Sequence, residues 1–163
     1  FDFHQKNISF LRQYEPDKPN NFYQLENLKR VLSLEYRGFS RHTFIRYWLC
    51  KNDNPSEFIG SVCFHHFRSD AVKSCEIGYK LSEEECHNGY MTEALHFLIP
   101  LIANNFQLHR MEAFVMPTNL PSIRLLQNLH FQEEGLLRDY ALIKRQWEDH
   151  LILSRIFPSS ENI

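Results

Sequence analysis

A strand-like run, a loop holding one glycine and a long apolar stretch succeed one another between residues 73 and 106, and this succession constrains the fold most. Cys75, Ile77, Tyr79 and Leu81 alternate with more polar or smaller residues, the period of a strand. Residues 86–94 read Cys-His-Asn-Gly-Tyr-Met-Thr-Glu-Ala, and the apolar stretch from Tyr90 to Phe106 has the length of a helix. The first amides of a helix lack internal partners, and its dipole places roughly half a positive charge there. A pyrophosphate satisfies both if no side chain blocks its approach, which is a reason for glycine at position 89. Taken alone, the pattern also describes an ordinary turn before a helix.

The rest of the chain fits around this unit. Residues 8–14 and 22–36 carry apolar residues at helical spacing, separated by Pro16 and Pro19. Asn20 or Asn21 is placed to cap the second helix and Gly38 to close it. Residues 42–51, 58–67 and 73–81 read as three strands joined by short polar connections, an antiparallel meander. Pro100 predicts a kink or a solvent-facing position in the helix after Gly89. Residues 111–116 form a further strand, Asn119 to Leu129 a helix, and residues 136–143 and 147–156 a closing hairpin across Lys144, Arg145 and Gln146. The expectation is one α/β domain over residues 1–157 with a mixed, mostly antiparallel sheet, followed by a loose tail over 158–163.

Composition removes several functions. A net charge of -2 gives no electrostatic case for nucleic acid. The longest apolar run, residues 97–103, is too short to cross a bilayer, so no membrane role is expected. Four cysteines include no Cys-x-x-Cys pair and read as half-buried thiols in a reducing cytoplasm. Nine histidines include no helical His-x-x-x-His pair. His65 and His66, adjacent on a strand, are expected to point to opposite faces, and no metal site is expected.

Four segments in order carry a resemblance: Glu76-Ile-Gly-Tyr-Lys-Leu81, Gly89-Tyr-Met-Thr-Glu-Ala94, His109-Arg-Met-Glu-Ala-Phe-Val-Met-Pro-Thr-Asn119 and Ser122-Ile-Arg-Leu-Leu126. Together they resemble the GNAT superfamily of acetyl-CoA-dependent N-acetyltransferases over residues 42–157, in particular the branch that acetylates ribosomal-protein N-terminal alanine and serine. The resemblance implies a splay between strands four and five, filled by the pantetheine arm of acetyl-CoA against Tyr79, Lys80 and Leu81. It implies that His87, Asn88, Gly89, Tyr90, Met91 and Thr92 face the pyrophosphate. It also implies that the first two helices cover one side of the acceptor pocket.

The reaction so implied is attack of an amine on a thioester, which needs positioning, a proton acceptor and a donor to the leaving thiolate. Glu76 and Glu112 are the candidate acceptors, because each is a carboxylate among apolar strand neighbours, and a bound water is the alternative. Ser122 is the candidate donor; with Asn119 it matches the branch's Asn-x-x-Ser spacing, although Asn is also a good helix cap. Tyr140 is a second possible donor, and Arg138, Asp139, Trp147 and Asp149 are possible acceptor-pocket residues.

Three positions depart from the family pattern: Cys86 stands where Gln or Arg is usual, His87 where Gly is often found, and Arg145 where a turn glycine is common. Weaker cofactor binding is the expectation. The expected activity is acetyl transfer from acetyl-CoA to a primary amine, either a protein N-terminus or a small molecule, by a cytoplasmic monomer or homodimer. Two other readings stay open: a non-catalytic acyl-CoA sensor on the same scaffold, and a plain α/β scaffold.

Overall fold

The computed structural model describes residues 1–19 and 21–157, so the tail over 158–163 and a cap at Asn20 lie outside the described residues. Its elements are α1 (Asp2–Leu11), α2 (Leu25–Ser40), β1 (Phe44–Lys51), β2 (Asn54–Arg68), β3 (Ser74–Leu81), a single 3₁₀ turn (Glu83–Glu85), α3 (Tyr90–Asn105), β4 (Arg110–Val115), α4 (Leu120–Asn128), β5 (Gln132–Ile143) and β6 (Gln146–Ile156). The strands form one sheet in the order β1-β2-β3-β4-β6-β5. Every neighbouring pair is antiparallel except β3 and β4, which run parallel. The expected mixed sheet is therefore present. The splay named for the family's strands four and five falls between the third and fourth strands of this chain.

One face of the sheet is covered by α3 and α4. Val62, Phe64, Cys75, Met111 and Leu153 from the strands meet Leu95, Ile99, Ile102 and Leu126 from the helices, all at most 1% exposed. Burying each Leu or Ile side chain contributes about 1.5–3 kcal/mol. Pro100 lies within α3 with its ring exposed, the solvent-facing alternative. Among the described residues no helix is long and apolar enough to cross a membrane.

The opposite face carries α1 and α2, and here the sequence reading needs correction. The first helix spans Asp2–Leu11 rather than 8–14, because its buried side includes the polar His4 and Asn7 beside Phe3 and Leu11. A purely apolar pattern does not register that face. The second helix begins at Leu25 with no side-chain cap, since Phe22 and Gln24 are already held in turns through Pro19 and Asn21 carbonyls. Gly38 lies inside α2. A β-carbon there would meet the Phe44 Cβ at 2.7 Å, so this glycine permits close approach of helix and strand and does not end the helix.

Candidate active site

Parallel pairing of β3 with β4 stops after three registers, Ser74 with Arg110, Cys75 with Met111 and Glu76 with Glu112. Both strands continue, so their edges diverge beyond that point. The gap opens into a cleft of about 800 Å³ walled by Ile77 to Leu81 on one side and Ala113 to Met116 on the other. An extended chain that enters it finds main-chain groups of β3 on the side not paired to β2.

At the far end of this cleft stand His87, Gly89, Met91 and Thr92. Gly89 is the N-cap of α3 with φ 84°, and a β-carbon built on it would have no atom within 4 Å. Open space and a left-handed backbone therefore coincide at that helix start. His87 also adopts a positive φ of 65°, a conformation that costs a non-glycine residue and gives a physical reason for the glycine often found there. Cys86 lines the cleft too, its Sγ donating to the Ser82 carbonyl at 3.3 Å, and partial burial raises its thiol pKa. Asn88 and Tyr90 do not contribute to the cleft wall.

Midway along the cleft, α4 begins. Asn119 caps it by accepting from the Ser122 amide at 3.3 Å. The Ser122 hydroxyl lies 2.7 Å from the Tyr79 hydroxyl, so β3 and α4 are joined across the gap by two side chains that can each donate. Burial pushes the Tyr79 phenol up to about 12, which keeps it protonated near neutral pH. The sequence reading placed Tyr79 here only through its main chain. Its hydroxyl partner sits 43 residues away, and no local pattern announces that contact.

On the α1–α2 side of β3 lies a second hollow, about 350 Å³, with Trp48, Leu28, Val31 and Phe22 in its walls. It shares Glu15, Gly78, Tyr79 and Lys80 with the cleft, so the two spaces meet across the end of β3. Two charge pairs lie in its wall: Lys80 with Glu15 at 3.0 Å, and Arg46 with Glu35 through three hydrogen bonds of 2.9–3.1 Å, while Lys18 stands over the Phe22 ring. His4 is 8% exposed among Phe3, Tyr23 and Trp48, and its Nδ1 has no partner among the described residues. Burial first, and the Lys80 charge second, lower its pKa to about 4. Glu15, Lys80 as a charge partner, and His4 were all missed from the sequence. They come from segments far apart in the chain.

Glu76 and Glu112 are neighbours in register but differ in company. Arg110 Nε donates to Glu112 at 2.6 Å, which ties that carboxylate into an ion-pair network with Glu134. Glu76 lies on the same side of β3 as Gly78 and Lys80 and has its carboxylate 2.9 Å from His66 Nδ1 and 3.7 Å from His65 Nδ1. Neither carboxylate forms part of the wall of either hollow. The expectation that His65 and His66 point apart fails: pairing of β2 with β3 slips between His65 and Arg68, and His66 takes φ 51°. His65 keeps its register opposite Glu76, and the bulge after it turns the His66 ring toward the same carboxylate.

The hairpin residues play local parts. Lys144 and Arg145 form its two-residue loop with φ 50° and 62°, and their amides donate to Asp17 at 2.9 and 2.8 Å. Two positive φ values in succession are what a type I′ hairpin demands, which explains why glycine is common where Arg145 stands. The Asp139 amide donates to Asp149 at 2.9 Å, Trp147 is 62% exposed, and Tyr140 stacks on Phe114 at 5.1 Å. None of these, nor Arg138, lines either hollow.

Residues 4–132 match the family model described as an acetyltransferase (GNAT) domain. The chain belongs to the GNAT acetyltransferases. A probable N-acetyltransferase of Bacillus subtilis strain 168, YjcK, is 29% identical over 96% of this chain and 86% of that protein. The [ribosomal protein uS5]-alanine N-acetyltransferase of Escherichia coli K12 is 28% identical over 96% of this chain and 80% of its own length. Among solved structures, the ribosomal-protein-S5-alanine acetyltransferase of Vibrio fischeri superposes with a TM-score of 0.90 at 25% identity, covering 98% of this chain and 86% of that one. Mycobacterium smegmatis RimJ, solved in complex with CoA-disulfide, gives a TM-score of 0.88 at 25% identity, over 95% of this chain and 74% of its own. This GNAT chain is thus an N-acetyltransferase.

Proposed function

We propose that this enzyme binds acetyl-CoA in the splay, pyrophosphate against the amides after Gly89, and transfers the acetyl group to the α-amine of a protein N-terminus entering from the α1–α2 side. The observation that carries the reading is the meeting of two hollows at Gly78, Tyr79 and Lys80, one long and edged by free main chain, the other short and side-chain lined. His87, Met91, Thr92 and Asn119 complete the cofactor's surroundings, and Asn88 and Tyr90 act through the shape of the loop. The space beside Gly89 that a β-carbon would enter is where the phosphates fit. On this reading one domain over residues 1–157 carries the whole reaction, in the cytoplasm.

The chemistry follows from the groups at the junction. The neutral amine attacks the thioester carbonyl carbon, the carbon–sulfur bond breaks, and the amine proton passes through bound water to Glu76, which precedes Ile77 of the cleft wall but lies outside both hollows. The ion pair of Glu112 with Arg110 favours Glu76 over Glu112 for that role. Ser122, with its hydroxyl held by Tyr79, donates to the departing thiolate. An α-amine, with a reference pKa near 8, requires less of Glu76 than a lysine near 10.4. A polyamine would need unpaired carboxylates, whereas Glu15 and Glu35 are already neutralised by Lys80 and Arg46. The names of the E. coli and V. fischeri relatives point the same way, toward a protein N-terminal alanine.

Free-thiol release measured with three acceptor classes tests this. Peptides with free alanine or serine N-termini should exceed both N-blocked lysine peptides and spermidine by at least about tenfold in kcat/KM, close to 1.4 kcal/mol. A preference for spermidine or for lysine would contradict the acceptor assignment.

A further inference from the structure

We infer that His65, His66 and Glu76 form a binding site for a divalent transition-metal ion of the zinc class, placed so that an occupied site withdraws Glu76 from proton transfer. The bulge at His66 brings the two rings to 4.7 Å between centroids at 88°. One ligand atom from each of the three side chains lies within 4.8 Å of the others. Tetrahedral zinc with bonds of about 2.0–2.2 Å holds its ligands roughly 3.3–3.6 Å apart, so small side-chain rotations close the site. His65 faces Glu76 as its direct cross-strand partner, and the bulge adds His66 as a second imidazole on the same carboxylate. Phe44 stacks against the His65 ring at 6.2 Å and 12°, backing one side, while His66 is 72% exposed and gives an ion access.

Two imidazoles and one carboxylate favour Zn²⁺, Co²⁺, Ni²⁺ or Cu²⁺ over Mg²⁺ or Ca²⁺, which prefer oxygen ligands. Glu112, the register neighbour of Glu76, is held by Arg110, so the fourth position falls to water. The inhibitory consequence rests on the assignment of Glu76 as proton acceptor; the site itself does not.

Metal-stripped protein titrated with Co²⁺ should develop the visible bands of a tetrahedral ion at one equivalent, and calorimetry with Zn²⁺ should give the same stoichiometry. His66→Asn keeps a residue that tolerates the left-handed backbone and should weaken binding at least about tenfold, as should His65→Gln. His96→Gln, an exposed position on α3, should leave affinity unchanged. Absence of one-to-one binding up to millimolar Zn²⁺, or equal affinity in His66→Asn and wild type with both folded by thermal melt, would overturn the site. Acetylated peptide quantified by mass spectrometry, which avoids zinc capture by free CoA thiol, should fall on Zn²⁺ addition and recover with chelator. Stoichiometric binding with undiminished turnover would uphold the site and overturn the role given to Glu76.

Discussion

The two sides of β3 solve different problems with different materials. On the α3–α4 side and in the splay, the cleft is edged by main chain, one glycine with a positive φ, and a few hydroxyls. On the α1–α2 side, the hollow is shaped by aromatic rings, two ion pairs and a buried neutral histidine drawn from α1, α2, β1 and β3. Main-chain recognition depends on backbone shape and tolerates change of most side chains. Side-chain recognition changes with every substitution. On the proposed reading, the first side holds a common donor and the second chooses a variable acceptor.

The contrast can be broken most forcefully at residue 89. Gly89→Glu places a carboxylate in the phosphate space at a position with φ 84° and should weaken acetyl-CoA binding by at least about 100-fold, roughly 2.7 kcal/mol by calorimetry. Full affinity in that variant would remove the cofactor side from the cleft. Glu76→Gln should lower kcat by about 100-fold and leave the acetyl-CoA dissociation constant unchanged; a normal kcat would transfer the proton role to water held by other groups.

The acceptor side makes its own prediction in acid. His4 has a folded pKa near 4 against 6.5 when free, so the unfolded chain binds the extra proton between those values and stability rises with pH there. Its contribution is present above pH 6.5 and lost as pH falls toward 4, on the order of 3 kcal/mol. Denaturant melts of wild type and His4→Phe should therefore diverge in slope between pH 6.5 and 4, the wild type losing more. Parallel slopes would show that His4 is not held neutral by burial. The smallest effect is expected at the link between the sides: Ser122→Ala should slow turnover about tenfold with acetyl-CoA affinity retained. An unaltered rate would leave the thiolate without its assigned donor.

The unequal legibility of the two sides has the same origin. Alternation through Cys75, Ile77 and Tyr79, the glycine before α3 and the Asn119 to Ser122 spacing are local, and each reappears in the fold where the sequence put it. The strands of β5 and β2 run longer than their apolar cores because ladder pairing continues at polar residues such as Gln132, opposite Ser154, and Asn54, opposite Lys51. The α1–α2 side could not be read this way. His4 and Asn7 bury polar atoms on a helix face, Glu15 reaches Lys80 across 65 positions, and Asp17 reaches Lys144 across 127. The convergence of His65 and His66 depends on a bulge whose positive φ falls on histidine, with no glycine to signal it. Such contacts are products of tertiary packing and leave no periodic trace.

The central claim is that acetyl-CoA lies along the diverging edges of β3 and β4 with its phosphates at the start of α3. Amide resonances of isotopically labelled protein titrated with acetyl-CoA test it at residue resolution. The largest shifts are expected at Gly89, Tyr90, Met91 and Thr92 and along Ile77 to Leu81, with those of β5 little changed. Saturable binding whose shifts cluster elsewhere, with the amides from 89 to 92 unmoved, would contradict it.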